Sequence, residues 1–118
     1  AKKEKNDFFE IWGSGTALRE FLYVDDLADA IFFLLESKKN ESLLNVGSGE
    51  EVSILQLAEK IRDLVGFKGD FKFDLTKPDG NNRKLLNLSK INSIGWKSKT
   101  DLDTGLKKTI SWYRDNLL

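Results

Sequence analysis

Six side chains in two short stretches have the types and spacing to bind a phosphorylated ligand. Trp12 is followed seven residues later by Arg19. A planar aromatic can stack on a base, and a guanidinium can hold a phosphate through two parallel hydrogen bonds. Farther along, Lys77, Asp79, Arg83 and Lys84 fall within eight residues around a Pro78-Asp79-Gly80 turn. Three cations and a carboxylate so placed could bind a diphosphate and a hydroxyl. The plainer alternatives are a core tryptophan with a surface arginine, and a solvated charged loop.

Two glycine turns, Gly13-Ser14-Gly15 and Gly47-Ser48-Gly49, could cradle phosphate with backbone N–H groups. Neither has the strand, G-x-G-x-x-G and helix order of a dinucleotide site, so each reads first as a plain turn. Asp25-Asp26 could form an acid–base or metal-binding pair, but two aspartates just before an apolar run are an N-cap by default. The chain has no histidine, the commonest general base and metal ligand, and no cysteine for a disulfide or thiolate site. We therefore expect no metal.

The 118 residues amount to one domain, with 19 basic and 19 acidic side chains. A net charge of +0 without a basic stripe argues against nucleic-acid binding. No apolar run approaches the roughly 18 residues of a membrane span, and no signal peptide is visible, so a cytoplasmic protein is expected. Residue 1 is alanine, methionine is absent, and residues 1–7 read as the exposed last turns of a helix. These features suggest an excised piece of a longer protein; a trimmed terminus is the alternative.

The elements that must position these groups follow from the pattern. Phe8, Phe9, Ile11 and Trp12 form a bulky strand, a glycine turn follows, and residues 19–24 form a second strand. Asp25 or Asp26 then caps a helix over residues 26–37. That helix is apolar nearly all round, so it must be covered on more than one side, a second hint of a missing partner domain. Residues 38–42 read as a loop and 43–46 as a short strand. Ser53 and Gln56 make a capping box for an amphipathic helix stopped by Gly66. Phe71-Lys72-Phe73-Asp74 alternates as a strand, and residues 75–83 form a loop. Residues 84–88 are extended, and Ser89 caps a short helix ended by Gly95. A last helix spans residues 102–116, burying Leu102, Leu106, Ile110 and Tyr113 or Trp112. Short strands mixed with about four helices indicate α/β, or α+β for the piece alone.

Residues 12–30, with a strand ending in Val24-Asp25-Asp26, resemble the extended short-chain dehydrogenase/reductase superfamily of nucleotide-sugar epimerases and dehydratases. Asn45-Val46-Gly47-Ser48-Gly49 before a Ser53-capped helix resembles the next landmark of that superfamily. Trp12-Gly13-Ser14-Gly15-Thr16, Arg19-Glu20-Phe21, Lys77-Pro78-Asp79-Gly80 and Arg83-Lys84-Leu85-Leu86 together are similar to the GDP-L-fucose synthase family. The likeness covers residues 8–116. The chain departs from that family at Ala17, where proline is usual, and at Asn81-Asn82, where Thr-Pro is usual; neither change removes a charged contact.

The resemblance implies that residues 1–118 are a C-terminal substrate-binding domain. The N-terminal Rossmann domain, the nucleotide-binding glycine motif, the catalytic serine and the Tyr-x-x-x-Lys pair lie upstream in the family and outside this chain. It further implies a GDP-4-keto-6-deoxy-mannose substrate. Trp12 would contact its guanine-nucleotide end, Arg19 its diphosphate and Asp79 its hydroxyls, while Lys84, with Arg83, would add charge on the nucleotide side. The parent would use NADPH, act as a homodimer, and convert its substrate to GDP-L-fucose by epimerisation and reduction. Another nucleotide-sugar epimerase or dehydratase, or a non-catalytic binding or interaction domain, are the alternatives.

Overall fold

The computed structural model describes residues 6–37 and 43–117. The loop expected at residues 38–42 lies outside these, as does most of the helix end expected at residues 1–7. Asn6 and Asp7 are not helical.

Five short strands and four helices make up the regular structure of the described residues. They are β1 (Phe8–Trp12), β2 (Leu18–Glu20), α1 (Val24–Ser37), β3 (Glu51–Ser53), α2 (Ile54–Val65), β4 (Asp70–Asp74), β5 (Arg83–Lys84), α3 (Ser89–Ser93) and α4 (Leu102–Leu117). This is the mixed α/β content the sequence predicts. The chain divides into two compact units, one of Ala1–Arg19 with Val52–Lys84, the other of Glu20–Glu51 with Leu85–Leu118.

In the first unit β1 and β4 run parallel, with Ile11 opposite Phe73 and Trp12 opposite Asp74. Parallel neighbours need a long crossover, and α2 lies within this one. The capping box of α2 forms as the sequence predicts: Ser53 Oγ accepts the Gln56 N–H at 3.0 Å, and the Gln56 side chain accepts the Ser53 N–H at 2.8 Å. The orphan N–H groups of Ile54 and Leu55 donate to the carbonyls of Ala17 and Gly15 at 3.1 and 2.9 Å. The first glycine turn is thereby docked on the start of α2. Gly66 ends the helix in the left-handed conformation at φ 68°. β2 sits between β3 and β5 in a three-stranded sheet, with Leu18 opposite Arg83 and Arg19 opposite Lys84.

In the second unit Ala30, Ile91 and Trp96 form the buried core, joined by Leu22, Phe33, Val46, Leu88 and Ile94. Asp26, only 5% exposed, accepts three hydrogen bonds: the N–H groups of Lys99 and Thr100 at 2.9 and 2.8 Å, and the Thr100 hydroxyl at 2.8 Å.

Several expected boundaries move. The second strand is Leu18–Glu20 and not residues 19–24, because its partner β5 has two residues and α1 already starts at Val24. The Leu27 N–H donates to the Tyr23 carbonyl at 3.2 Å, committing that stretch to helix. Asp25 and Asp26 sit inside the first turn of α1, and Asp26 spends its oxygens on residues 99–100 instead of capping. Residues 43–46 form no strand; the Asn45 side chain donates to the Asn87 carbonyl at 3.2 Å, and Val46 packs on the core. Of the stretch at residues 83–88, only Arg83–Lys84 pairs as a strand. Leu88, and not Ser89, occupies the N-cap position of α3, without a side-chain bond. Trp112 and Tyr113 are 59% and 49% exposed, so only the first half of α4, around the buried Gly105, packs inward.

Candidate functional site

The first unit gathers most of the residues singled out in the sequence around one turn. Trp12 closes β1 and is 66% exposed. Its indole N–H donates to Glu10 Oε1 at 2.9 Å, and Lys77 Nζ lies 5.3 Å from the ring centroid. An exposed aromatic carrying a cation on one side is a stacking platform more than a core residue. The chain then turns through Gly13 and Gly15, at φ 76° and 74°, a conformation that side chains disfavour.

Asp79 reaches into this turn. One carboxylate oxygen accepts the Ser14 N–H at 2.6 Å, and the other accepts the Ser14 hydroxyl at 2.9 Å. A side chain at Gly13 would collide with that carboxylate. Beyond Asp79, Gly80 lies beside Arg19: a methyl group there would sit 3.7 Å from Arg19 Nη2. Arg19 is half-buried on β2 and donates from Nη1 to the Leu18 carbonyl at 2.6 Å.

Strand register sorts the remaining cations. Residues opposite each other on adjacent strands share a face, and successive residues alternate. Arg19 and Lys84 are opposite, so both stand on one face of the sheet. Arg83 is opposite Leu18 and stands on the other. The structure thus sets Lys77 over Trp12, Asp79 on the turn that follows Trp12, Gly80 beside Arg19, and Lys84 opposite Arg19, with Arg83 on the other face.

The glycine turns are not open phosphate cradles. The N–H of Ser14 points at the Asp79 carboxylate, and in the second unit the N–H of Gly49 points at Glu20 Oε1 at 2.7 Å. Each turn binds an anion, as its backbone donors favour, but the anion belongs to the chain itself. Among the described residues no group of three or more His, Cys, Asp or Glu could hold a metal ion, and no helix is long and apolar enough to cross a membrane.

Asp26 and Asp29 of the second unit have structural work. Burial opposes charge on Asp26, yet the bonds from Thr100 and Lys99 outweigh it and hold its pKa below the ordinary carboxylate value. Asp29 is likewise lowered, by bonds from Lys99 and Trp96.

Sequence reasoning passed over Ser14 as a turn residue and Glu20 as a strand residue. The signal available for both was a glycine-rich turn in a chain whose nearest anion could be its own carboxylate.

This geometry sits on a fold shared with nucleotide-sugar enzymes. The NAD dependent epimerase/dehydratase family model matches residues 1–47. A solved structure of a GDP-6-OMe-4-keto-L-xylo-heptose reductase from C. jejuni superposes with a TM-score of 0.84 at 35% identity, over 92% of this chain and 34% of that one. More particularly, the chain is homologous to proteins named GDP-L-fucose synthase. It is 50% identical to GDP-L-fucose synthase 1 of Arabidopsis thaliana over 107 residues, 91% of this chain and 33% of the relative. A GDP-L-fucose synthetase from Naegleria fowleri, solved bound to NADP, matches with a TM-score of 0.82 at 31% identity, over 92% of this chain and 35% of that one. The chain spans about a third of the length of the relatives it matches.

Proposed function

We propose that residues 1–118 are the C-terminal, substrate-binding part of a GDP-L-fucose synthase whose N-terminal Rossmann domain and NADPH site lie outside this chain. The observation that supports the reading is that Asp79 is bonded to the turn after Trp12, while the next residue, Gly80, lies beside Arg19 and Lys84 is opposite Arg19. Trp12 stacks on the guanine, Arg19 and Lys84 hold the diphosphate from one strand face, and Asp79 takes sugar hydroxyls on its remaining lone pairs. A carboxylate has about four acceptor sites, and Ser14 fills two.

In the whole protein, NADPH supplies the hydride that reduces the sugar after epimerisation at two carbons. The described residues do not fit that cofactor, because both glycine turns already hold carboxylates. Their part is to bind and orient the nucleotide sugar. The parent is proposed to be a cytoplasmic homodimer without a metal.

Calorimetric titration of the whole protein tests this. Arg19→Ala should weaken GDP-sugar binding about 10- to 100-fold, since a charge-assisted bond contributes roughly 1.5–3 kcal/mol. NADPH affinity should not change, and Arg19→Lys should recover only part, because lysine cannot bind bidentately. Unchanged GDP-sugar affinity in a folded Arg19→Ala protein would overturn the diphosphate assignment.

A further inference from the structure

The contact that organises the site is made by a residue given no role in binding. Ser14 presents its backbone N–H and its hydroxyl to the two oxygens of Asp79. The hydroxyl is itself held: it accepts the Thr16 N–H at 3.2 Å and lies 2.7 Å from the Thr16 hydroxyl. With Thr16 donating to Ser14, the Ser14 proton is left to point at Asp79, so three polar groups act as one chain. The other end of the Asp79 loop is tied separately. Asp74 Oδ1 accepts the Thr76 N–H at 3.0 Å, and the Asp74 carbonyl accepts the Lys77 N–H at 3.2 Å. Along this loop Lys77 lies over Trp12 and Gly80 beside Arg19. Beyond Asp79 the loop is tied again where the Asn82 carbonyl accepts the Leu18 N–H at 2.8 Å, and between these ties it is Ser14 that holds the Asp79 carboxylate to the turn.

We infer that Ser14 is a positioning residue for the nucleotide-sugar site, acting through Asp79 to aim that carboxylate and the 77–80 loop at the ligand. This rests on the substrate-binding reading above. It separates Ser14 from Trp12, Arg19 and Lys84, whose side chains would meet the ligand themselves.

A double-mutant cycle in the whole protein tests it, with GDP-sugar and NADPH affinities measured by calorimetry and folding followed by thermal melting. Ser14→Ala should weaken GDP-sugar binding roughly threefold to tenfold, the range for one ordinary hydrogen bond, because the loss reaches the ligand only through Asp79. NADPH affinity should not move. Ser14→Thr, which keeps the hydroxyl, should restore most of the loss. In an Asp79→Ala background, Ser14→Ala should cost nothing further, because the residue it acts through is gone. Equal costs in both backgrounds, or a loss shared by both ligands with a lower melting temperature, would overturn the inference. Arg19→Ala in the same series keeps the two readings apart. If it leaves GDP-sugar affinity intact, the site reading fails; if it is damaging while Ser14→Ala is silent, only the positioning role fails.

Discussion

Arg19 and Lys84 show how a few ångströms of register turn a run of charge into a site. Along the sequence Arg83 and Lys84 are equivalent neighbours, and either could face a ligand. On β5 they cannot share a face, and only Lys84 is opposite Arg19. Two cations side by side on one face suit the two phosphates of a nucleotide sugar better than one cation on each face. We therefore predict that Lys84→Ala weakens GDP-sugar binding about tenfold, the effect of losing one charge-assisted contact at an exposed position. Arg83→Ala should stay within about twofold. Calorimetry on both variants decides, and equal losses would mean that the strand face does not govern the site. The same resolution was not available for Asp79: its charge and turn were legible in the sequence, but its bond to Ser14 spans 65 positions and has no local signature.

At the scale of elements, much was legible wherever local chemistry decides the outcome. The capping box at Ser53, the left-handed Gly66 stop and the strand β4 are settled within a few residues, and all formed. The misread stretches are those whose outcome depends on a distant partner. Residues 21–23 are bulky and apolar enough for a strand, yet β5 offers only two residues to pair with. Asp26 had the position of a helix cap, yet the donors at residues 99–100 claim it, more than 70 positions away. That bond gives a prediction with a definite sign. The pKa of Asp26 is depressed in the folded protein, so its stabilisation is present above the ordinary carboxylate value of 3.8 and is lost as pH falls through the folded value. Asp26→Asn, which leaves at least one donor of the 99–100 segment unmatched, should cost about 1–3 kcal/mol at pH 7. The cost should shrink towards zero in acid below pH 3.8. Urea unfolding of both proteins across that range checks it, and a difference independent of pH would show that the carboxylate charge is not what holds the segment.

At the scale of the whole molecule, α1 explains the apolar sleeve noted in the sequence. One face of the helix, through Asp26, Ala30 and Phe33, turns to the core of the second unit. Val24, Leu27, Ile31 and Leu35 follow at spacings of three and four on the opposite face, with Phe32 beside them, and all are exposed, Leu35 by 75%. The first unit has its own uncovered apolar surface, a groove of about 510 Å³ between α2 and the sheet, lined by Phe9, Ile11, Leu57, Ile61 and Phe71. Soluble monomers seldom expose contiguous apolar patches beyond a few hundred Å², and a helix that is apolar on both faces is normally covered on both. Under the proposed function, α1 is where the Rossmann domain would pack. We predict that the 118-residue chain by itself binds a hydrophobic dye and self-associates, as read by fluorescence and sedimentation velocity. Ile31→Glu with Leu35→Glu should abolish both while leaving the helical circular dichroism intact, because neither side chain belongs to the buried face. The same pair placed in the whole protein should lower its stability, since two charges would then be buried against the partner domain without a counterion. A wild-type chain that stays monomeric and binds no dye would show that this face needs no cover, and the proposed domain contact at α1 would fall with it.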